Sequence, residues 1–437
     1  MGSKIKLWFI NQKNLVKMSK FILLTVSLLL ITWLFDHRYP VLRSYIPDQM
    51  LLSVDVSVNF LSNISGVFLT ISIFSFTTIV TVLNKYSSSI TPRMVQSFID
   101  KTDVLGLYGI FVSGFFYSVI SIVMLQGLSS DQHVVTGSFG IAYAIIAMIA
   151  FVVFSKQVLD NLKISNIIES VYNDCDPLID RAVELRKKAK RYEDDQPATE
   201  LTILAGETGY LFEIKADEIL SDLEGIKTEL TITKRIGEYA TAEEALGLLR
   251  IFGQETMADE EKEALQKQIS SALVINMYKN NEDDYHHELI KLTEIACMAL
   301  SPGTNDPNTA VVCIDKISSL LGKLLSTDHQ FIVLRETEDT KIIYQNYSVE
   351  NELYLVFSQI VTYSAGDPLV SKAILQGLYM IYMLAGMSAK AAVKKYFDSS
   401  YDLITANFNH PVHLDRFEQI RKNIEEHISL KDEHVLA

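Results

Sequence analysis

The sequence predicts an α-helical multi-span membrane protein with four transmembrane helices and an α+β cytosolic domain that contains a small β-rich module. The mean hydropathy of the 437 residues is +0.18, and only 21% of them are charged. The apolar residues are concentrated near the start of the chain. Residues 1–163 carry 12 Lys/Arg and 7 Asp/Glu, whereas the remainder carries 27 and 46, which gives −14 overall. A basic, apolar half joined to an acidic half indicates a membrane module followed by a soluble domain.

Four stretches without Asp, Glu, Lys or Arg predict the transmembrane domain, residues 1–160. They contain 15, 29, 27 and 24 residues, and they place spans at about 18–36, 59–84, 104–128 and 134–156. About 20 apolar residues cross a bilayer, so the last three suffice unaided. The first is extended by Lys20, which can snorkel, and by Trp33, which suits an interface. A cleaved signal peptide would also begin with lysines and an apolar run. Because Trp33–Asp36 offers no small-residue cleavage site, we expect an uncleaved helix.

The charges that flank the spans predict the orientation. The first 20 residues hold five lysines and no acid, and Lys or Arg also follow the second and fourth spans. The loop between spans one and two has two arginines against Asp36, Asp48 and Asp55, and the next outer loop has no Lys or Arg. The positive-inside rule therefore places both termini and the acidic domain in the cytoplasm. The three cysteines all lie in the acidic half without a CxxC pair, which agrees with a reducing compartment.

The second span carries an uncharged polar stripe at steps of three, four or seven residues. Its members are Asn59, Asn63, Gly66, Thr70, Thr77, Thr81 and Asn84. Polar groups in hydrocarbon need partners, so such a stripe seldom faces lipid. One interpretation is close helix packing through small and hydroxyl residues. The other is the wall of a pore in an oligomer. The other spans carry pairs of small residues four positions apart, and for these pairs close helix packing is the better interpretation. They are Gly109/Ser113, Gly114/Ser118 and Gly140/Ala144.

The charge distribution disfavours two classes of function. No acidic or basic residue lies in the interior of any span, which argues against proton relays, and four spans without an evident inverted repeat argue against a self-contained secondary transporter. An acidic chain also makes nucleic acid an unsuitable partner. We expect the lipid bilayer and further copies of this chain as partners.

The acidic half divides by pattern into three parts. Residues 161–198 predict a helical linker in which Pro177 marks a break, residues 199–254 a β-rich module, and residues 255–437 a mainly helical region. In that region, apolar runs at 331–334 and 341–344 predict a hairpin. The basic run 186–191 indicates a solvated helix end or, alternatively, a contact with anionic lipid.

An unusual segment joins two of the predicted helices. It comprises Ser301, Pro302, Gly303, Thr304, Asn305, Asp306, Pro307, Asn308 and Thr309. Asp306 suits a helix N-cap and Pro307 the first helical position. The exposed amides could instead hold a small anion, although Asp306 would oppose its charge.

This segment resembles the signature of an uncharacterised bacterial membrane-protein family, catalogued as domain of unknown function 2254. Other landmarks of the family are matched by Phe74–Phe76 on the second span, Ser89–Arg93 with Pro92 and Arg93 near the membrane, and Gly114–Ser118 on the third. The resemblance implies the bacterial cytoplasmic (inner) membrane, and it brings no established activity.

Metal-capable side chains occur at 283–288, with His286 and His287, and at His410 and His413. Adjacent histidines point about 100° apart on a helix, and His410 and His413 flank a proline-broken turn, so we interpret both sets as solvated surface. Neither nucleotide-binding nor nucleophile motifs are present in the sequence. We therefore expect no enzyme activity, no cofactor and no metal.

The leading hypothesis is a homo-oligomeric, channel-like membrane protein in which the second span lines the conduit and the cytosolic domain gates or assembles it. The alternative is a membrane-anchored ligand sensor or interaction scaffold, in which the spans only pack and the Ser301–Thr309 corner recognises a ligand or partner.

Overall fold

The computed structural model describes residues 13–39, 46–91, 93–95, 104–189, 197–253, 258–277, 279, 284–327 and 331–435. These residues form two compact units. The first, Met1–Ile167, is called the membrane unit below, and the second, Ile168–Ala437, the α+β unit.

Four long apolar helices form the membrane unit. They are α1 (Lys13–Trp33, continued by a π-turn at Leu34–Arg38), α2 (Val54–Ser89), α3 (Val104–Leu125) and α4 (Thr136–Asn161). All four are long and apolar enough to cross a membrane, over Lys20–Arg38, Val54–Ser88, Val104–Leu125 and Thr136–Asn161. The four predicted spans are thus present as helices, and the second is longer than predicted at both ends. The short strands β1 (Leu52–Ser53) and β2 (His133–Val134) pair beside them.

Small residues let these helices approach one another. A Cβ atom at Gly109 would come within 2.7 Å of the Phe21 ring, and one at Gly114 within 2.8 Å of the Tyr143 ring. A Cβ atom at Gly140 would meet Leu61 at 2.8 Å. The predicted packing role of the small pairs on α3 and α4 is confirmed.

A buried carboxylate accepts hydrogen bonds from the backbone N–H groups at the start of α4. Asp36, 2% exposed, accepts hydrogen bonds from the backbone N–H groups of Val135 (2.9 Å) and Thr136 (3.1 Å). It also accepts the hydroxyl hydrogen of Thr136 at 2.5 Å. The first N–H groups of a helix have no partner within the helix, so Asp36 caps α4 across 99 residues of sequence.

The α+β unit contains nine helices and eight strands in its described residues. The helices are α5 (Ile164–Lys188, which begins in the preceding unit), α6 (Ala216–Asp222), α7 (Asp259–Ala272), α8 (Tyr285–Ala299), α9 (Pro307–Leu324), α10 (Val349–Tyr363), α11 (Pro368–Leu384), α12 (Met387–Thr405) and α13 (Pro411–Val435). The strands are β3 (Ala198–Leu204), β4 (Gly209–Ile214), β5 (Thr228–Ile232), β6 (Tyr239–Ala240), β7 (Ala245–Phe252), β8 (Leu273–Asn276), β9 (Phe331–Glu336) and β10 (Thr340–Gln345).

The strands form two sheets that reach beyond the predicted module 199–254. One has the order β3-β7-β5-β10-β9 and the other β6-β4-β8. The predicted hairpin is present as β9 and β10, but β10 also pairs in parallel with β5, with Thr340 opposite Thr228. Alternating apolar residues such as Ile203, Leu230, Leu249 and Ile342 are buried between this sheet and the helices. A single sheet therefore joins segments that the sequence pattern separates.

Helix α5 is part of the core, whereas the sequence predicted a linker. Val171, Cys175 and Ile179 are fully buried along one face of it. Pro177 lies inside the helix, so the predicted break is wrong. Proline removes one backbone N–H from the helical ladder, and the buried face on both sides of it keeps the helix continuous here.

Candidate functional site

A cavity of about 640 Å³ opens in the α+β unit. Its walls come from α5, the end of β4, the turn at 235–238, the start of α8 and the segment 344–347 that ends β10. A volume of 300–1,000 Å³ is typical of sites for small molecules. Apolar side chains such as Ile214, Ile290 and Ile332 alternate on the wall with charged ones.

A buried charged network lies behind one wall of the cavity. Glu352 and Arg186 are both fully buried, and their Oε1 and Nη2 atoms are 3.5 Å apart. The hydroxyl of Tyr285 donates to Glu352 Oε1 at 2.8 Å. His286 Nε2 lies 2.8 Å from Glu352 Oε2, and its Nδ1 lies 3.4 Å from Asp284 Oδ1. The first turns of α8 and α10 and the end of α5 thus meet at one carboxylate.

The interpretation of residues 283–288 as solvated surface is wrong for the described part of that segment. The side chains of Asp284 and His286 are 14% and 13% exposed, and Tyr285 is buried. Arg186 is likewise not a solvated helix end, although Lys187 and Lys188 are exposed as expected. In the sequence, such a polar run resembles exposed surface, because the opposite charges that neutralise it in the fold lie on distant helices.

The neighbouring charges fix the protonation states in this network. Burial alone would lower the pKa of His286, but the Glu352 and Asp284 carboxylates outweigh it and raise that pKa to about 9. Burial would raise the pKa of Glu352, and the charges of His286 and Arg186 instead hold it below its usual value. At neutral pH the network therefore contains an imidazolium clamped between two carboxylates. Both of its N–H groups are engaged, so it is not poised as a general base.

The protonated state of His286 in the folded chain predicts that the stability of the protein depends on pH. The pKa of folded His286, about 9, exceeds its ordinary value of 6.5, so its stabilisation is complete below pH 6.5 and is lost as the pH rises through 9. We expect the melting temperature of the full chain, followed by circular dichroism, to fall between pH 6.5 and 9.5. The His286→Gln variant should lose most of this slope, whereas the exposed-site control His410→Gln should keep it. An unchanged slope in His286→Gln would contradict the assignment.

A second polar group lies beside this network, because the Tyr347 ring packs edge-on against His286 with ring centres 4.4 Å apart. Glu238 accepts from Arg235 Nε at 2.9 Å and from Arg235 Nη2 at 2.7 Å. The Arg235 guanidinium lies 3.7 Å from the centre of the Tyr347 ring, whose hydroxyl donates to Glu238 at 3.3 Å. Gly237, at φ +83°, supplies the left-handed residue that this turn requires. Sequence reasoning did not select these residues. Their local signal in the sequence is Gly237, a residue typical of turns, and it does not indicate Tyr347 as a partner.

The predicted stripe on α2 belongs to the membrane unit. All seven of its residues are exposed on the surface of the chain. The hydroxyls of Thr70, Thr77 and Thr81 donate to carbonyls of their own helix at 2.9 Å each. The amides of Asn59, Asn63 and Asn84 have no such bond to any residue that the structure describes. A Cβ atom at Gly66 would meet nothing within 4 Å. Packing within this unit uses the other face of α2, through Leu61, Phe68 and Ser72.

The Ser301–Thr309 corner is a helix cap, as predicted. Asp306 Oδ1 accepts from the Thr309 N–H at 3.2 Å and Oδ2 from its hydroxyl at 2.6 Å, and Pro307 is the first residue of α9. Asn305 has φ +47°, a conformation that asparagine tolerates. The corner follows the far end of α8, which lies about 20 Å along that helix from His286 at 1.5 Å per residue. It does not belong to the cavity.

The remaining predicted residues do not join a common site with the cavity or the corner. Arg93 is exposed, and Pro92 lies outside the described residues. His410 and His413, with ring centres 5.8 Å apart, lie at the start of α13, and His413 packs against Phe408.

Comparison with known proteins adds a family. The sequence matches the family described as "Predicted membrane protein (DUF2254)" over residues 11–380. The chain belongs to this family. Its curated relatives include the uncharacterized proteins MT1328 and Rv1290c of Mycobacterium tuberculosis and Mb1321c of Mycobacterium bovis. Each is 25% identical over 327 residues, which is 71% of this chain and 62% of the relative. The matched region thus spans less than two thirds of those proteins. No solved structure matches.

In this DUF2254 chain the family match covers the membrane unit and every wall of the cavity, and it ends within α11. The protein is therefore a predicted membrane protein with four apolar helices and an α+β unit. The family assigned from the Ser301–Thr309 segment is confirmed.

Proposed function

We propose that this protein is a membrane-anchored sensor that binds a small polar molecule in the cavity of its α+β unit. The cavity of about 640 Å³, with a rigid ionic network behind one wall, is the observation that carries this proposal. Such preorganised polar groups among apolar side chains are typical of ligand sites. Because His286 is clamped as an imidazolium, the site is suited to binding and not to proton transfer, and we propose no enzymatic turnover. The lysine distribution supports a bacterial inner-membrane location with both termini and the α+β unit in the cytoplasm.

Ligand-dependent melting of the full-length protein in detergent tests this function. All three cysteines belong to the α+β unit, and Cys175 and Cys313 are buried, so a thiol-reactive dye follows the unfolding of that unit alone. A ligand at 100 times its Kd stabilises by about 2.7 kcal/mol, which raises the melting temperature by roughly 5–10 °C. We expect at least one class of polar metabolite in a screen to produce this shift.

A variant that fills the cavity provides the control for this screen. Ala182 on α5 is 9% exposed and lines the cavity, so Ala182→Phe should abolish the shift. Val312→Phe, at a side chain on α9 that is 44% exposed and is not part of the cavity wall, should preserve it. A shift that persists in Ala182→Phe, or a screen without any shift, would reject ligand binding in this cavity.

The exposed stripe on α2 supports a second candidate, a homo-oligomeric channel-like protein. The amides of Asn59, Asn63 and Asn84 have no partner among the described residues, and hydrocarbon offers none to the part of the stripe that lies within it. A second copy or a water-filled conduit would satisfy them. In this candidate the stripe residues meet around an axis, and the α+β unit gates or assembles the ring.

Native mass spectrometry followed by flux measurements in liposomes tests this second candidate. We expect a closed ring of three or more subunits and an ion or solute flux that Asn63→Leu reduces several-fold. Thr70→Leu should act more weakly, because the Thr70 hydroxyl already bonds to Gly66. Val67→Leu, at an exposed apolar position on the same helix, serves as the matched control. A monomer, or flux that is equal in Asn63→Leu and Val67→Leu, would end the channel hypothesis.

A further inference from the structure

Most of the charged side chains on the cavity wall are compensated in pairs, whereas Glu213 and Lys279 lie outside these pairs and are exposed to solvent. Arg235 pairs with Glu238 at 2.7 Å, Arg335 with Asp217 at 2.6 Å and Lys215 with Glu218 at 2.9 Å. His286 lies between Asp284 and Glu352, as described above. A ligand with a bare charge would compete with these pairs and would gain little beside them, whereas a neutral polar ligand would leave all of them intact.

One largely buried polar side chain on the wall has no hydrogen-bond partner among the residues that the structure describes. Asn346, directly after β10, is 8% exposed and lines the cavity. Its amide makes no hydrogen bond to any residue within the described ranges, whereas its neighbour Tyr347 is held by Arg235 and Glu238. The residue is more than nine-tenths buried, but its amide atoms remain accessible, and they offer a donor and an acceptor to a molecule that the cavity receives. A carboxamide presents one donor edge and one acceptor side by side.

We propose that the ligand is a neutral molecule with an adjacent hydrogen-bond donor and acceptor, the edge that a nucleobase, a lactam or a primary amide presents, and that it pairs with Asn346. This inference rests on the proposed ligand-binding function. The asparagine amide pairs in the same two-bond manner with the edge of adenine in nucleic-acid recognition. The body of a flat ring would lie among Ile214, Ile290 and Ile332, which supply apolar surface.

Isothermal titration of the full-length protein in detergent tests the ligand class. The neutral probes are adenosine, uridine and nicotinamide, and the charged probes are inorganic phosphate and succinate. We expect at least one neutral probe to bind, with an affinity that Asn346→Leu lowers about tenfold to a hundredfold. Asn346→Asp keeps the size and the acceptor but loses the donor, so it should lose a comparable amount. Asn407→Leu, at an exposed amide that bonds to Leu403 on α12, should bind as the wild type does.

The outcomes separate the ligand class from the binding function itself. Neutral binding that is unchanged in both Asn346 variants overturns the role of Asn346. Binding of the charged probes alone overturns the ligand class but leaves the cavity as a binding site. If none of the probes binds, the ligand class is overturned, and the wider melting screen then decides on the binding function separately. Wild-type melting of Asn346→Asp excludes loss through misfolding.

Discussion

The Glu352→Gln substitution is expected to lower the free energy of unfolding of the α+β unit by about 3–5 kcal/mol. Glu352 is the only carboxylate in contact with buried Arg186 among the described residues, and it also accepts from Tyr285 and faces His286. Glutamine keeps the shape but removes the charge. Removing one partner of a buried ion pair leaves the other uncompensated, which costs far more than the pair itself contributes. A unit of this size should then melt roughly 10 °C lower.

The neighbouring Glu350 provides a matched control for this substitution. It lies in the same first turn of α10 but is exposed, so Glu350→Gln should change stability by less than about 0.5 kcal/mol. The thiol-reactive dye reads both variants in the α+β unit. Equal melting of the two variants would mean that Glu352 does not neutralise Arg186 and His286.

The second large effect is expected for Asp36→Ala, in the membrane unit. The change leaves the N–H groups of Val135 and Thr136 and the Thr136 hydroxyl without their acceptor. Each unsatisfied buried donor costs roughly 1–3 kcal/mol, and water at the end of the span recovers part of this, so we expect a loss of about 2–4 kcal/mol. Trp33 belongs to the membrane unit and the α+β unit contains no tryptophan, so tryptophan fluorescence follows the unfolding of the membrane unit separately from the thiols.

Two further variants define the origin of this effect. Asp36→Asn retains one acceptor and should lose less than half as much as Asp36→Ala. Asp55→Ala, at an exposed acid in the first turn of α2, should leave the tryptophan signal unchanged. A decrease of equal size in Asp55→Ala would attribute the effect to loss of negative charge instead of the cap on α4.

Local patterns predicted much of this fold because their physical causes are local. The uncharged runs predicted the four long helices, because a membrane span depends on about 20 consecutive apolar residues. The Asn305-Asp306-Pro307 segment predicted the start of α9, because a helix N-cap is formed by residues within and next to the first turn of that helix. The β9–β10 hairpin followed from two apolar runs and the short turn between them.

The cavity and its network were not predictable in the same way. Arg186, His286 and Glu352 are separated by 166 residues at the extremes, and nothing near any of them in sequence indicates the others. Each looks like an ordinary surface charge until the folded chain brings three helices together. The parallel pairing of β5 with β10 was missed for the same reason. Hydrophobic patterns identify strands but not the distant partners with which they pair.

The lengths of the membrane helices set a condition on the bilayer itself. The first span, Lys20–Arg38, has 19 residues, which is about 28 Å of helix and therefore matches a hydrocarbon layer of ordinary thickness without tilting. The second, Val54–Ser88, has 35 residues, or about 52 Å, so it must tilt steeply or project into the headgroups on both sides. The 26 residues from Asn59 to Asn84 alone cover about 38 Å. The polar face of α2 consequently traverses the whole hydrophobic thickness, with an asparagine near each surface. In a thicker, sterol-rich bilayer the first span would be shorter than the hydrocarbon layer, whereas the second would still be longer than it.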